Sequence, residues 1–326
     1  MQIIDEQKIK LYTNMVRVRK ADEFLVQAFF AKKLAGPYFH SQQGQEAIGV
    51  GAATFLRPDD YIFHSHRGHG LSEVIAKGLP LKKFVAEHFG KATGSCQGIG
   101  FINSCDPALG LFGMGGTVGG EFTVGVGAAL AAKLRDQGQV AAIFFGDGAT
   151  GRGSLHEGML MSANWKLPVV WLCSNNGMGM WVPVKAAFPK ENIADLAFGY
   201  GIPSAVVDGQ DVLAVCQAVQ EAVDLARKGA GPGFIEFKTC RFRSQLEGVP
   251  DICQDGLRSE AEIQSWKDRD PVKLFQEKLL KDRILTLAEV ERIDRESRAE
   301  VAEAERFALD SPAPSGKILD ELLYAD

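Results

Sequence analysis

Asp147 lies in Gly146-Asp147-Gly148, and Asn175-Asn176 follows after 26 residues (149–174). A carboxylate and a carboxamide both offer hard oxygens, and the backbone carbonyl of Met178, two residues on, offers a third. Magnesium takes about six oxygens in an octahedron and seldom all of them from protein. The remaining positions suit phosphate oxygens and water. For Asp147 and Asn176 to reach one cation, they must stand at neighbouring strand tips. The flanking residues predict this arrangement. Residues 140–145 are an apolar run of strand length, and Ser154 with Glu157 reads as a capping box opening a helix to about Trp165. Lys166-Leu167-Pro168 breaks that helix, and residues 169–173 form the next apolar strand. In an open parallel sheet both tips face one crevice. Gly148 and Ala149 precede the helix, where their amides can approach a diphosphate. Gly-Asp-Gly and Asn-Asn are each ordinary turns alone, and the functional reading rests on their interval.

The rest of the chain supplies elements to hold this unit. Residues 4–34 carry Leu11, Met15, Val18, Leu25 and Phe29 at helical spacing, and Gly36-Pro37 ends them. A loop with His40 and Gly44 leads into a helix over 45–56. Residues 61–63 read as a short strand with His64 to Gly70 at its C-terminal end. Residues 90–120 are irregular and read as a long functional loop. Small residues over 124–134 suit a closely packed helix. Residues 202–207, 211–228 and 233–238 repeat the strand–helix–strand alternation. Residues 241–258 lack periodicity and read as a mobile active-site loop. Helices follow over 272–280 and 286–309, the second with a Thr286/Glu289 capping box. The expected fold is one α/β domain over 1–326, a doubly wound, mainly parallel sheet. It has a helical arm (1–35) and a helical tail (271–326).

Composition excludes several classes. The 326 residues are 46% hydrophobic and 24% charged, with a net charge of -5, so no basic surface for nucleic acid is expected. The apolar runs are far shorter than the ~20 residues of a membrane span. The polar N-terminal residues lack a signal peptide's apolar stretch. The six cysteines form no CxxC pair and read as reduced thiols, which predicts a cytoplasmic protein.

The stretch from Gly146-Asp147-Gly148-Ala149 through His156-Glu157 and Trp165-Lys166-Leu167-Pro168 to Cys173-Ser174-Asn175-Asn176-Gly177-Met178 resembles the thiamine-diphosphate fingerprint. Within that superfamily it is similar to the alpha subunit of the decarboxylating component of 2-oxo acid dehydrogenases, of the pyruvate or acetoin type. The resemblance extends over nearly the whole chain. It includes His40, Gly44-Gln45-Glu46-Ala47, Arg67-Gly68-His69-Gly70, Gly116-Thr117-Val118-Gly119, Val207-Asp208-Gly209, Arg269-Asp270-Pro271 and Ser311-Pro312-Ala313-Pro314. It implies that Arg67 binds the diphosphate, with His66 where the family usually has Tyr. It also implies that Gly116, Val118 and Ala108 lie on the cofactor side, together with Gly148 and Ala149. Asp147, Asn176 and Met178 would hold Mg2+. His40 would lie near the substrate, with His69 and Gln245 as further catalytic candidates. A beta subunit would supply the catalytic Glu in an alpha2beta2 heterotetramer, a small 2-oxo acid would be the substrate, and a lipoyl acyltransferase would be a further partner.

Two departures stand out. Gln245 occupies the place of the family's loop histidine, and no histidine follows His156. A carboxamide can hydrogen-bond a reacting carbonyl but cannot shuttle a proton near neutral pH. Leu246 replaces the loop serine. Carbonyl-acceptor carboligation therefore stands beside lipoyl transfer as a reading, and a non-catalytic alpha-like subunit is a third. Blander readings remain for single residues. Arg67 is read alternatively as a surface cation, and His40, His64, His66 and His69 as a zinc cluster. His156 is read as structural, and Cys96 and Cys105 as packing residues.

Overall fold

The structure, a computed structural model, describes residues 3–113, 116–249 and 258–323. In chain order the elements are α1 (Asp5–Phe30), α2 (Glu46–Thr54), β1 (Tyr61–His64), α3 (Leu71–Lys77), α4 (Leu81–His88), β2 (Leu111–Gly113), α5 (Gly120–Arg135), β3 (Ala141–Gly146), α6 (Gly153–Asn164) and β4 (Val169–Asn175). There follow β5 (Met178–Gly179), β6 (Val182–Pro183), α7 (Val184–Ala187), α8 (Asp195–Phe198), β7 (Ser204–Asp208), α9 (Val212–Arg227) and β8 (Gly233–Lys238). The last elements are α10 (Glu260–Lys267), α11 (Pro271–Lys281), α12 (Leu287–Asp310) and α13 (Ile318–Leu323).

Six strands form one sheet in the order β2-β1-β3-β4-β8-β7, every neighbouring pair parallel. Side-chain alternation along the central strands divides the interior in two. Ala142, Phe144, Val170 and Leu172 face the core shared with α1, α2 and α9, while Ile143, Phe145, Trp171 and Cys173 face α5 and α6. Both faces are covered, which is why these strands are apolar without interruption. Gly125 lets α5 approach β3, since a Cβ there would lie 2.5 Å from the Ile143 side chain. The fold is the expected α/β parallel sheet.

Two details differ from the sequence reading. The irregular region 90–120 contains the edge strand β2, three residues that gain their strand form from pairing with β1. The capping box at Ser154 is not formed. Helix α6 starts at Gly153 with Arg152 as an uncapped N-cap residue, and the Ser154 hydroxyl donates instead to the Gly119 carbonyl at 3.1 Å. The Thr286/Glu289 box is present at α12. Asp270 of Arg269-Asp270-Pro271 caps α11 and takes two hydrogen bonds from Arg19, whose Nε also reaches Glu46 at 2.5 Å. That arginine ties α1, α2 and α11 together. Residues 250–257 of the segment read as a mobile loop, including Cys253, lie outside the described residues.

Candidate active site

A cleft of about 520 Å³ opens at the C-terminal ends of β1, β3 and β4. Its cation end rests on two adjacent strands. The register pairs Phe145 with Cys173 and Gly146 with Ser174, so Asp147 and Asn176 follow the tips of neighbouring strands. The turns after these strands press together. A Cβ on Gly148 would lie 2.9 Å from the Gly179 Cα, and the reverse holds for Gly179. Asn175 is held by Glu236, whose Oε1 accepts from Asn175 Nδ2 at 2.7 Å while its Oε2 accepts the Ala194 amide at 2.8 Å. Asn176 Oδ1 accepts the Met178 amide at 3.2 Å, which curls the chain so that the Met178 region returns to the cleft.

Asp147 is 4% exposed, and its Oδ2 is buried without a hydrogen-bond partner. Burial pushes its acid up to about 6, against the opposing pull of nearby backbone amides, Arg241 and Arg67. A buried carboxylate oxygen without a partner is costly unless a cation meets it. The acid, the Asn176 carboxamide and the Met178 carbonyl make an all-oxygen donor set that fits Mg2+ rather than a softer metal.

The other end is assembled from loops. Gly68 (φ 59°), His69 (φ 54°) and Gly70 (φ 78°) run left-handed, and a Cβ on Gly70 would strike the His64 ring at 2.4 Å. This turn sends the Arg67 side chain inward, where it is buried. Arg67 Nη1 donates to the Ser41 carbonyl at 3.0 Å, and Nη2 donates to Gln245 Oε1. Arg241, fully buried, donates from Nη1 to the same oxygen at 3.2 Å and from Nη2 to the Met180 carbonyl at 2.7 Å. Gln245 Nε2 lies 3.2 Å from His66 Nε2, and the Gln245 backbone carbonyl lies 2.7 Å from His40 Nδ1. The His40 and His66 rings are 4.7 Å apart at 67°. Burial, with Arg67 adding to it, pushes His40 down to about 2 and His66 down to about 3. Both rings are neutral at ordinary pH.

The cleft thus gathers His40, His66, Arg67, Gly116, Val118, Asp147, Gly148, Ala149, Asn176, Met178 and Gln245. Two expected residues lie elsewhere. Ala108 sits in the short turn before β2 and borders a separate groove with Tyr61 and Arg135. His69 lies behind the cleft wall, fully buried, with Nδ1 2.7 Å from His88 Nε2. Gln245 does reach the cleft, where two arginines and His66 engage its carboxamide. His64 turns to the carbonyls of Ser65 and Ser104, so the four imidazoles read as a zinc cluster do not converge. His156 pairs with the Tyr200 hydroxyl at 2.9 Å in a structural role. The sequence reading missed Tyr38, Glu121 and Met180 as lining residues, and missed Arg241, which is buried and holds Gln245 and the Met180 carbonyl. Arg241 alone had a signal, its place directly after β8 at the sheet's C-terminal edge.

Comparison with known proteins adds a second line of support. A family described as the dehydrogenase E1 component matches residues 12–317. The alpha subunit of acetoin:2,6-dichlorophenolindophenol oxidoreductase from Bacillus subtilis is 37% identical over 316 residues, 96% of this chain and 92% of that protein. The testis-specific mitochondrial pyruvate dehydrogenase E1 component subunit alpha of Rattus norvegicus is 33% identical, over 98% of this chain and 80% of that protein. The corresponding pyruvate dehydrogenase subunit of Zymomonas mobilis is 34% identical, over 98% and 88%.

Proposed function

The chain belongs to the dehydrogenase E1 component family as an alpha subunit of the 2-oxo acid dehydrogenase kind, and from that premise we propose that it binds thiamine diphosphate with Mg2+ and works with a beta subunit. Together they decarboxylate a small 2-oxo acid, pyruvate first, and pass the two-carbon unit to lipoyl. The observation that carries this reading is the buried, partnerless Asp147 Oδ2 at the β3 tip, facing the same cleft as Asn176 and Met178.

When bound, the cofactor supplies the electron sink for loss of carbon dioxide. The chain's own residues supply placement and charge. Asp147, the Asn176 carboxamide and the Met178 carbonyl would hold the cation. Arg67, fixed by Ser41 and Gln245, directs positive charge into the cleft for the diphosphate. Gly148 and Ala149 line the same space, and the missing Cβ at 148 lets the Gly179 backbone press against this turn. His40 and His66, both neutral, can exchange hydrogen bonds with a reacting oxygen without adding charge. The aminopyrimidine would be met by the beta subunit's Glu.

One observation favours a second reading, transfer to an aldehyde or ketone. No imidazole stands at position 245, and the carboxamide there is held by two arginines. The deciding experiment combines the chain with its beta partner, pyruvate, and either a lipoyl domain or candidate carbonyl acceptors, and identifies the product by mass. Acylated lipoyl supports the first reading and an acyloin the second. Appreciable turnover by the chain alone contradicts the need for a beta subunit.

A further inference from the structure

We propose that Gln245 is a positioning residue that fixes where the protons of His40 and His66 sit, so that the cleft presents one imidazole acceptor beside one imidazole donor. Arginine has no acceptor and offers only N–H groups. Gln245 Oε1 receives such groups from both Arg67 and Arg241, so that atom is the oxygen and the amide orientation is determined. Its Nε2 can only donate, and it faces His66 Nε2 at 3.2 Å. His66 Nε2 therefore accepts and is bare, and the ring's single proton is on Nδ1.

The main chain of the same residue acts on His40. A carbonyl oxygen only accepts, so at 2.7 Å from the Gln245 carbonyl His40 Nδ1 carries the proton and Nε2 is bare. A ring with a folded-state value near 2 or 3 does not take a second proton under working conditions. Both imidazoles are thus Nδ1–H tautomers, but Gln245 engages a different nitrogen in each. His40 is left with a bare Nε2 and His66 with an N–H on Nδ1, and both rings line the cleft. A buried chain behind them is ordered by the same logic. His88 Nδ1 donates to the Phe84 carbonyl at 2.9 Å, so His88 Nε2 accepts from His69 Nδ1. His69 Nε2 in turn accepts the His40 backbone N–H at 3.4 Å. Each link has one allowed direction.

A site built this way can donate to a substrate carbonyl oxygen through His66 and accept a hydroxyl or transferring proton through His40, without a change of net charge. That use rests on the function proposed above, whereas the tautomers themselves do not.

The test uses the full chain labelled with 15N-histidine, with and without its beta partner, and two-bond 15N–1H correlation spectra assigned by single histidine variants. In the wild type His40 and His66 are both expected with protonated Nδ1 and bare Nε2. In Gln245→Glu the side chain no longer donates, so His66 Nε2 gains a proton. His40 is unchanged, because its partner is the main chain. A protonated Nε2 on His66 in the wild type overturns the proposal, as does a bare His66 Nε2 in the Gln245→Glu variant. The wild-type spectrum decides even where the variant fails to fold. Thiamine diphosphate titrated in the same samples separates the two claims. Absent binding with the expected tautomers sinks only the cofactor reading, and binding with other tautomers sinks only this one.

Discussion

The two ends of the cleft are built in different ways. At the cation end, Asp147 and Asn176 follow directly from β3 and β4, and their relative position is set by backbone register and by Glu236 beneath them. At the other end, His40, His66, Arg67, Arg241 and Gln245 come from three loops and hold one another through hydrogen bonds. Strand register is stiff, so the first end can keep an unpaired carboxylate oxygen buried. The second end has no such frame and is held by hydrogen bonds among its own residues. The contrast suggests that cofactor binding is fixed by the fold, while acceptor choice is set by a network that a few substitutions can change.

Four experiments break or sharpen that contrast. The largest effect is expected from Asp147→Asn, which should weaken cation-dependent thiamine diphosphate uptake on the order of 100-fold by calorimetry. The same change should raise the stability of the cofactor-free chain by about 1–3 kcal/mol in denaturant titration, because a neutral amide replaces a buried carboxylate whose Oδ2 has no hydrogen-bond partner. Next, Arg67→Lys should weaken uptake by roughly 10- to 30-fold, since one ammonium cannot reach Ser41, Gln245 and a phosphate with a guanidinium's fork. An equal loss in kcat would show that Arg67 couples the two ends.

The third experiment is a pH series. Burial raises the Asp147 acid to about 6, and a cation binds only the carboxylate, so protons compete below that value. Metal affinity should be about tenfold weaker at pH 5 than at pH 7 and nearly flat from pH 7 to 8. A flat response down to pH 5 would remove Asp147 from the site. The smallest effect is expected from Glu236→Gln. It keeps the shape but gives up the ion pair with Lys238 Nζ at 2.6 Å and one acceptor for either Asn175 or the Ala194 amide, costing about 1–2 kcal/mol in stability and a few-fold in uptake.

The same contrast explains what was legible in the sequence. The strand–helix–strand unit around Asp147 is local, so its apolar runs, its breaker at Leu167-Pro168 and its interval could be read directly. Strand β2 could not, since three residues have no periodicity and take their form from β1. The Ser154 box failed because the hydroxyl found a tertiary partner, Gly119, in place of its own helix end. Ala108 lies within a motif-bearing region, but its turn faces away from the strand tips. The absence of a histidine at 245 was plain. The bonds from Gln245 to Arg67 and His66 were not, because they join residues that are 178 and 179 positions away.

The central claim is that the tips of β3 and β4 together hold a divalent cation that anchors a diphosphate. Electron paramagnetic resonance with Mn2+, titrated into the chain co-expressed with its beta partner, tests it most directly when run with and without thiamine diphosphate. One tightly bound manganese per alpha chain should appear only with the cofactor, and it should vanish in Asp147→Asn. Equal manganese occupancy in the wild type and that variant would contradict the account.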